Sequence, residues 1–433
     1  MQKELIAITI GKETSGKIDP VYKAAVFRKY IEKAFPDANI KTVEPISTSA
    51  SLNSVCAYVD LSPKKGKFLS AFAKIHIESD TQSTSALGAE GEYAQANLLA
   101  QYGWPVVKPL MLSASKEYPL LLYPRINEKT LFDLFENSYN KSTNHITNTD
   151  LNVLSDFNEQ VGEAMVDSVK TVGAKEAASA PSQTLFIERF KLGGRIDQWY
   201  KPETQFNLIN KDGHISWQQL LKSKWVINGV PYDITLGEIV KNARKYLSFN
   251  QESPVPVCVS HGDDHAGNIF IDRRKKKALL FDPAFAGWNP TALSNAKALA
   301  HNCFLPMGGM YYDPKIENVS YKWDKSKNVI YADIPFESSV LYNTHDILAK
   351  QIIDLRIVPL IQELKRRKIN TRNELERIKY ALSACALLTI NVSSLLGQRD
   401  GRGQGLLPLT IMSAELKGLP MLSYLKERLI QAA

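Results

Sequence analysis

The sequence predicts an α+β chain whose smaller N-terminal part is a mostly antiparallel sheet with one helix and whose larger C-terminal part is mainly helical. Three strand-like segments lie between residues 41 and 77, and a helical segment that opens with Glu90 and Glu92 follows them. Farther along, three long segments carry apolar side chains at helical spacing: residues 151–172, 348–364 and 374–396. Strands therefore come first and helices dominate the remainder.

The overall composition is that of an ordinary globular protein. Of the 433 residues, 44% are hydrophobic and 23% are charged, and this length allows roughly two or three domains. No run approaches the roughly 18–20 apolar residues that cross a bilayer, and the N-terminus lacks a signal-peptide pattern, so we expect a cytoplasmic protein with no membrane partner. The four cysteines form no CxxC pair and are predicted to be buried free thiols: Cys56, Cys258, Cys303 and Cys385.

The net charge of +8 raises the question of nucleic-acid binding. The densest basic cluster, residues 273–277, falls where a solvated hairpin turn is expected, and a second cluster, residues 365–368, falls at the expected C-terminal end of a helix. Neither cluster alternates with aromatic residues as a base-stacking surface does. The sequence therefore gives nucleic acid little support as a partner, and so basic a chain offers a polycationic acceptor no bulk attraction.

The residues that carry chemistry form one short segment. It runs His261-Gly262-Asp263-Asp264-His265-Ala266-Gly267-Asn268, and continues with an apolar run, the basic cluster, a second apolar run and Asp282. This order predicts a loop, a strand, a hairpin turn, a second strand and an acid. Phosphoryl transfer from a metal-bound nucleotide needs such a set, because one carboxylate orients the attacking hydroxyl and accepts its proton while an amide and a second carboxylate hold Mg²⁺.

Two other interpretations of this segment stay open. His261, Asp263, Asp264 and His265 are residue types that bind transition metals, so the segment could belong to a metal-dependent hydrolase. Such a site needs further histidine ligands, and the chain has only seven histidines with no other pair at short spacing. The segment could also be a polar turn without chemistry, in which case the amide and the second acid would be coincidental.

The order and spacing of these residues resemble the catalytic segment of the protein-kinase-like superfamily. They look most like the aminoglycoside phosphotransferase and choline kinase group, whose motif is HGD-x-H-x-x-N, and Asp282-Pro283-Ala284 is similar to members with Asp-Pro at this place. The resemblance implies a two-lobed kinase-like fold and transfer of the γ-phosphate of ATP or GTP to a hydroxyl of a sugar, amino alcohol or antibiotic-like molecule. It further implies that Asp263 is the catalytic base, that His261 orients the loop, and that Asn268 and Asp282 hold Mg²⁺.

The same resemblance requires phosphate-binding elements upstream, and the sequence supplies them in order. Strands are predicted at residues 41–46, 55–61 and 68–77, with a turn at 64–66. The loop at 47–54 contains no glycine, but it resembles that of the small-molecule kinases in having an asparagine, Asn53, just before the second strand. The short hydroxyls of Ser49 and Ser51 are expected to meet phosphate oxygens beside it.

Lys74 is the lysine that the resemblance assigns to the α- and β-phosphates. Glu92 is its expected partner, because it lies within the helix predicted to follow, and Glu90, which lies before that helix, is the reserve. An exposed lysine on a half-buried strand is the alternative for Lys74, and a glutamate in a first helical turn needs no functional explanation.

The resemblance divides the chain into an N-terminal lobe at 1–120, a hinge at 121–127 and a C-terminal lobe at 128–433. It places Leu121, Leu122 and Tyr123 against the adenine. A helix is predicted to begin at Leu131, and the segments 136–150 and 173–185 are predicted to be loops because they are rich in Asn, Ser, Thr and Ala.

Beyond Asp282 the family pattern weakens. Related small-molecule kinases place an aspartate where this chain has Ser294, with Asn295 beside it; either could cap the next helix, but neither carries the charge that would bind a cationic substrate. His301 could face the substrate or pack within that helix. Residues 306–345, with a hairpin near 328–334, are expected to form a substrate-side insertion.

A catalytically inactive, nucleotide-binding regulatory protein is the alternative from another functional class. The glycine-free loop and the missing later aspartate favour it. The intact set of Lys74, Asp263, Asn268 and Asp282 argues against it.

Overall fold

The computed structural model describes residues 20–46, 54–63, 67–76, 88–208, 214–249, 254–396 and 402–432. The chain forms two units. The N-terminal unit comprises Met1–Gln101, Val106–Glu128 and Asp282–Ala284, and the C-terminal unit comprises Tyr102–Pro105, Lys129–Phe281 and Phe285–Ala433.

A five-stranded antiparallel sheet forms the centre of the N-terminal unit, in the spatial order β1-β2-β3-β5-β4. Its strands are β1 (Ala38–Pro45), β2 (Ser54–Pro63), β3 (Leu69–His76), β4 (Met111–Leu112) and β5 (Leu121–Pro124). The three strands predicted between residues 41 and 77 are thus confirmed with small shifts of their ends. The predicted phosphate loop through Asn53, the turn at 64–66 and residue 77 lie outside the described residues.

One face of this sheet is apolar because alternate residues of a strand point to the same side. Inward residues of β2, β3 and β5 pack against helix α1 (Pro20–Ala34), whose apolar side chains recur at helical spacing. The residues of this core on β2, β3 and α1 are Val55, Ala57, Val59, Leu61, Ala71, Ala73, Ile75, Val26, Phe27, Tyr30, Ile31 and Ala34. Lys74 follows Ala73 and therefore points to the opposite face of the sheet. Helix α2 (Gly88–Gln101) confirms the helix predicted after the third strand and buries Glu92.

Helices make up most of the C-terminal unit, so the predicted α+β class is confirmed. Its longer helices are α3 (Leu131–Lys141), α4 (Asn148–Asp167), α9 (Leu236–Tyr246), α11 (Tyr342–Ile352), α12 (Val358–Arg366), α13 (Arg372–Thr389), α15 (Leu406–Glu415) and α16 (Pro420–Ala432). Its shorter helices are α5 (Ala174–Ala178), α6 (Ile187–Phe190), α7 (Arg195–Trp199), α8 (Trp217–Leu220), α10 (Ala296–Leu299) and α14 (Val392–Leu396). Two π-helical segments, Ala300–Phe304 and Ile353–Ile357, continue α10 and α11.

Short sheets complete this unit and position the predicted catalytic segment. The strands are β6 (Lys170–Val172), β7 (Gln205–Asn207), β8 (His214–Ser216), β9 (Lys224–Ile227), β10 (Val230–Tyr232), β11 (Val255–Ser260), β12 (Ile269–Asp272), β13 (Lys277–Leu280), β14 (Gly287–Pro290), β15 (Ser320–Asp324) and β16 (Val329–Asp333). Strand β11 lies between β14 and β6, and β12 pairs with β13 as the predicted hairpin. The hairpin expected near 328–334 is also present as β15 and β16, and β16 additionally pairs in parallel with β9.

Three sequence-based boundaries were wrong. The predicted loop at 136–150 is helical at both ends, because α3 continues to Lys141 and α4 begins at Asn148. Thr147 within this segment is the N-cap of α4. Its hydroxyl accepts a hydrogen bond from the amide of Asp150, and the carboxylate of Asp150 accepts one from the amide of Thr147, so the two residues form a capping box. The predicted helix 151–172 ends at Asp167 and gives way to β6, and the predicted loop 173–185 contains α5 and the 3₁₀ turn Pro181–Thr184.

The basic clusters and the cysteines follow the predictions, with one difference. Arg273, at the start of the basic hairpin turn, makes a two-pronged ion pair with the buried carboxylate of Asp150, at 2.7 and 2.6 Å, and is not merely solvated. Arg366 is the last residue of α12, as expected, Arg367 follows it, and both contact Glu363. All four cysteines are buried free thiols. Within the described ranges, we find no helix that has both the length and the apolar character to cross a membrane.

We expect Gly162→Ala to destabilise the protein, because α4 passes the π-helical segment Ile353–Ile357 at this glycine. A Cβ atom at Gly162 would lie 1.8 Å from the carbonyl oxygen of Leu355, which is backbone and cannot rotate away. Overpacking of this kind costs about 1–3 kcal/mol or more. Thermal unfolding of the variant should show a lowered Tm, whereas Gly173→Ala, where a Cβ meets no atom within 4 Å, serves as the control. An unchanged Tm for Gly162→Ala would contradict the close approach of the two helices.

Candidate active site

A buried lysine held between two carboxylates marks the N-terminal unit. The Nζ atom of Lys74 lies 2.7 Å from Oε2 of Glu92 and 2.7 Å from Oδ1 of Asp282. Lys74 is 4% exposed and Glu92 1% exposed, while the side chain of Asp282 is 36% exposed. The structure thus brings together three of the residues singled out in the sequence, and the partner of Lys74 is Glu92 rather than Glu90.

The ammonium of Lys74 keeps its charge at neutral pH. Burial alone would lower the pKa of Lys74, but the carboxylates of Asp282 and Glu92 outweigh burial and raise the pKa above its usual value. The hydroxyl of Tyr123 donates to Oε1 of Glu92. Burial, and then the nearby charge of Glu92, raise the pKa of Tyr123 well above normal, so its hydroxyl stays a donor. Glu92 is thereby fixed by two donors and in turn fixes the ammonium of Lys74.

Asp282 adopts an uncommon backbone conformation, with φ of +58°. Aspartate tolerates the left-handed region better than most residues with a side chain, and unusual backbone conformations are frequent at functional sites.

The predicted adenine contacts lie in the central part of the sheet. Leu121, Leu122 and Tyr123 belong to β5, which pairs with β3 on one side and β4 on the other. The carbonyl of Leu122 accepts from the amide of Leu110 at 2.7 Å. All three side chains are buried. Ser49, Ser51 and Asn53 lie outside the described residues.

In the C-terminal unit, His261 connects the start of the predicted catalytic segment, residues 261–268, to the end of the following hairpin. Its Nε2 lies 3.0 Å from the carbonyl oxygen of Phe281, and its Nδ1 lies 3.4 Å from the amide of Asp263. These partners favour the neutral tautomer with the proton on Nε2, because a carbonyl accepts and an amide donates. Gly262 has φ of +76°, and a Cβ there would lie 2.5 Å from the carbonyl oxygen of Phe285, so the tight turn requires glycine.

Asp263 and Asn268 are hydrogen-bonded neighbours in the predicted catalytic segment. Nδ2 of Asn268 donates to the backbone carbonyl of Asp263 at 2.9 Å, which orients the amide group. Oδ1 of Asp263 forms an ion pair at 2.8 Å with Nζ of Lys297, whose side chain is 6% exposed. Burial raises the pKa of Asp263, but the charge of Lys297, followed by that of His265, outweighs burial and holds this pKa well below its ordinary value. Asp263 is therefore a carboxylate at neutral pH.

The next two residues of the segment have structural contacts. Asp264 forms a buried ion pair with Arg356, at 2.5 Å, and its carbonyl accepts from Nδ2 of Asn302. Nδ1 of His265 accepts from the amide of Gly267 at 3.1 Å. Among the described residues, no group of three or more His, Cys, Asp or Glu side chains is arranged to hold a metal. These contacts argue against the hydrolase interpretation, because the carboxylate of Asp264 is already neutralised by an arginine.

Sequence reasoning missed Lys297 and Arg356 and misjudged the residues before Lys297. Ser294 does not cap the helix, since its hydroxyl donates to the carbonyl of Pro290, and Asn295 makes no side-chain capping bond. Lys297 is a lone charge in Ala296-Lys297-Ala298-Leu299, which is the same pattern that drew attention to Lys74. Nothing local marks Arg356, because its partner is far away in the sequence.

His301 packs within the C-terminal unit, as one of the two alternatives expected. It is 1% exposed, its Nδ1 lies 2.7 Å from the hydroxyl of Tyr311, and its Nε2 lies 3.2 Å from Oγ1 of Thr389. Burial and the neighbouring positive charges lower its pKa well below normal, so the ring is neutral.

The residues predicted to hold Mg²⁺ offer the type of ligand atom that this ion prefers. Asp282 offers carboxylate oxygen and Asn268 offers amide oxygen, because Nδ2 of Asn268 is committed to the carbonyl of Asp263. Mg²⁺ prefers oxygen ligands and is commonly bound through one or two protein groups together with water and phosphate oxygens.

A cavity of about 590 Å³ lies elsewhere in the C-terminal unit, lined by residues such as Asp233, Glu238 and Glu415. None of the predicted site residues lines it.

No family model and no curated protein sequence matches the chain. Among solved structures, the chain is similar to a macrolide 2'-phosphotransferase type I, with 11% identity over 92% of this chain and 99% of that one and a TM-score of 0.39. It is also similar to an ethanolamine kinase from Plasmodium vivax, with 8% identity over 99% of this chain and 86% of that one and a TM-score of 0.39. Both names denote phosphotransferases, the class to which the motif resemblance points, but a TM-score this low bears on neither substrate nor site.

Proposed function

We propose that the protein is a small-molecule kinase that transfers the γ-phosphate of ATP, or of GTP, to a hydroxyl group. The observation that carries this proposal is the buried Lys74 ammonium held by Glu92 and Asp282. In phosphotransferases of the kinase type, a lysine held by a glutamate contacts the nucleotide phosphates, and a nearby aspartate binds the metal. The motif around Asp263 supplies the remaining groups.

In the proposed reaction, the Asp263 carboxylate accepts a hydrogen bond from the acceptor hydroxyl and orients it for attack. Lys297 holds that carboxylate by the 2.8 Å ion pair and keeps it ionised. His261 holds the backbone of the loop through Phe281 and Asp263. Asn268 and Asp282 would hold Mg²⁺, which when bound neutralises charge on the phosphates. The transition state of phosphoryl transfer is loose, so positioning matters more than the strength of the base.

We propose that two segments of the N-terminal unit contact the nucleotide. Ser49, Ser51 and Asn53 would meet the phosphates, and the segment 121–127 would meet the adenine. The backbone groups of Leu122 are already hydrogen-bonded within the sheet. We therefore expect the edge of the adenine ring to contact the residues that follow β5.

A regulatory protein that binds nucleotide without turnover is the second candidate. The Asp263–Lys297 ion pair favours it, because a base that is held by a lysine must exchange part of that contact for the acceptor hydroxyl.

Measurement of ATP turnover decides between the two. Purified protein is incubated with ATP and Mg²⁺, alone and with pooled hydroxyl compounds, and products are identified by the mass of an added phosphate. Transfer supports the kinase. Tight binding of ATP and Mg²⁺ with no transfer to sugars, amino alcohols, hydroxy acids or sugar phosphates supports the regulatory protein. Tightly bound zinc or iron found by elemental analysis would instead restore the hydrolase interpretation.

We expect Asp282→Asn to abolish the Mg²⁺-dependent part of nucleotide stabilisation in a thermal shift assay. The substitution preserves shape but removes the charged ligand. A ligand present at about 100 times its Kd stabilises the folded state by about 2.7 kcal/mol, so its loss is readily measured.

Asp60→Asn is the matched control. Asp60 lies in the same unit, but its carboxylate accepts a hydrogen bond from the hydroxyl of Thr42 on the sheet and is not a predicted metal ligand. The control should keep the full Mg²⁺-dependent shift. An unchanged shift in Asp282→Asn would remove Asp282 from the metal site.

A further inference from the structure

Lys297 lies against the proposed catalytic base. Its Nζ atom is 2.8 Å from Oδ1 of Asp263, and the side chain of Lys297 is 6% exposed while that of Asp263 is 16% exposed. Oδ1 of Asp263 is itself buried, so the exposed surface of this side chain belongs to its other atoms. An acceptor hydroxyl therefore reaches the carboxylate from that exposed side, close to the ammonium of Lys297.

The charge of Lys297 acts on groups that neighbour the reacting hydroxyl. A hydroxyl that a carboxylate orients lies about 2.6–3.2 Å from it. Together with the 2.8 Å contact, this places the ammonium of Lys297 at most roughly 8 Å from the acceptor oxygen. Charges at such a distance interact appreciably where burial limits screening by salt. A cationic group one or two carbon atoms from that hydroxyl would therefore be repelled by Lys297.

The two acids of the predicted catalytic segment are both paired with cations. Asp263 is paired with Lys297, and Asp264 forms a buried ion pair with Arg356 at 2.5 Å. A cationic acceptor would gain a counter-charge from this segment only by displacing one of these cations. The displaced Lys297 or Arg356 would then be left nearly buried and unpaired, which is costly. The segment therefore offers a positively charged acceptor no net attraction.

The sequence on either side of Lys297 adds no acid. Residues 285–312 contain no aspartate or glutamate, and Lys297 is their one lysine or arginine. Ser294 and Asn295, just before Lys297, are uncharged and buried. Burial, and then the charge of Lys297, lower the pKa of His301 well below normal, so this ring is neutral as well. The stretch of chain that reaches the proposed base thus contributes a single positive charge.

We propose that Lys297 is a specificity-determining residue, which excludes acceptors that carry a positive charge next to the reacting hydroxyl. Such an acceptor would lose hydration on entering the site, would face the ammonium of Lys297, and would find the carboxylate of Asp263 already paired. Unfavourable charge placed against the wrong ligand is a general means of discrimination. The proposal rests on the proposed kinase function and narrows its substrate class to alcohols, sugars and hydroxy acids whose groups beside the hydroxyl are neutral or acidic.

Neutral and cationic acceptors would engage the ion pair differently. A neutral acceptor donates one hydrogen bond from its hydroxyl to Asp263, so Lys297 keeps its contact with the same carboxylate. A cationic acceptor offers its own ammonium to that carboxylate and competes with Lys297 for it. In this second arrangement the ammonium rather than the hydroxyl contacts Asp263, so the acceptor is misplaced for transfer. Discrimination is therefore expected in both KM and kcat.

Matched pairs of acceptors test the charge preference in the wild-type protein. Choline and 3,3-dimethylbutan-1-ol share their shape and hydroxyl but only choline is charged, and glucosamine with glucose is a second pair. A further pair is made from the best acceptor found in the turnover measurement, with an amine beside the hydroxyl and a neutral group in its place. In every pair that is phosphorylated, kcat/KM should be about 10- to 100-fold higher for the neutral member, the effect of one uncompensated charge. Equal values, or preference for the cation, overturn the inference and leave the kinase function standing.

Variants connect the preference to Lys297. Lys297→Gln keeps a hydrogen-bond donor for Asp263 but removes the charge, so the ratio of kcat/KM between neutral and cationic members should fall about tenfold or more. Overall turnover should fall too, but a ratio taken within one variant cancels that general loss. Lys297→Arg keeps the charge and should keep the discrimination. The control is Lys379→Gln, because Lys379 lies in the same unit and pairs with Glu376 at 2.7 Å. A ratio that is the same in Lys297→Gln and in this control overturns the assignment.

A binding measurement gives a readout that does not depend on turnover. The full chain is titrated calorimetrically with the best acceptor and with its amine-bearing counterpart, in the absence of nucleotide. Wild type should bind the neutral compound about tenfold or more tightly, and Lys297→Gln should reduce this ratio. Equal or tighter binding of the cation by wild type overturns the inference even if the variant does not fold. Failure of the kinase function is distinguishable, since it appears as absent transfer to every hydroxyl compound, and the inference then falls with it.

Discussion

Asp263→Asn is expected to lower phosphoryl transfer by about 10²- to 10⁴-fold, the usual contribution of a positioned acid or base. An amide of the same shape cannot take the proton of the acceptor hydroxyl, and it no longer forms the ion pair with Lys297. Nucleotide affinity should be unchanged, because Lys74, Glu92 and Asp282 form a cluster of their own in the N-terminal unit. The measurements are turnover with the best acceptor and the Kd of ATP with Mg²⁺.

The loss of charge at Asp263 has a second effect that must be separated from catalysis. Lys297 is nearly buried, so its ammonium would lack a counter-ion, and removing one partner of a buried pair costs about 3–5 kcal/mol of stability. The double variant Asp263→Asn, Lys297→Met removes both charges and should recover part of the stability without recovering turnover. Activity that returns in the double variant, or that persists in Asp263→Asn, would show that Asp263 is not the base.

The strands and the lysine site could be predicted from the sequence because their signals are local. The alternation of Val55, Ala57, Val59 and Leu61 indicates one buried face of β2, and Lys74 lies among apolar neighbours on the next strand, β3, pointing away from that face. A charge in an apolar strand is conspicuous in the sequence alone. The hairpin before Asp282 was equally visible, because a basic turn separates two short apolar runs.

The remaining features depend on contacts that spacing does not reveal. Polar residues such as Thr147 indicated a loop, yet they act as helix caps, because the same side chains serve both purposes. Helix α1 was not predicted, although residues 26–34 carry apolar side chains at helical spacing. The Asp264–Arg356 and Asp263–Lys297 pairs join distant parts of the sequence, so only the folded chain identifies which cation each acid meets.

Lys74→Met is expected to abolish turnover and to destabilise the protein at the same time. The nucleotide phosphates would lose their cation, and the carboxylates of Glu92 and Asp282 would face each other without the ammonium between them. For the nearly buried Glu92, loss of the partner should cost about 3–5 kcal/mol in the free energy of unfolding. Denaturant unfolding measures this cost, and Lys108→Met, an exposed lysine of the same unit, is the control.

The stability loss of Lys74→Met could come from the broken ion pair or from lost packing of the lysine stem. The pH dependence of stability and a double variant distinguish these two causes. The folded-state pKa of Lys74 is raised above its unfolded value of about 10.4, so its contribution to stability is fully present below that pH and is lost only as the pH rises through the folded value. The stability difference between wild type and Lys74→Met should therefore be constant through the neutral range and narrow only in strongly alkaline solution. Lys74→Met, Glu92→Leu removes both charges and should regain part of the stability, less the hydrogen bond that Tyr123 donates, while remaining inactive. A double variant no more stable than Lys74→Met would mean that packing of the lysine stem, rather than the ion pair, dominates this site.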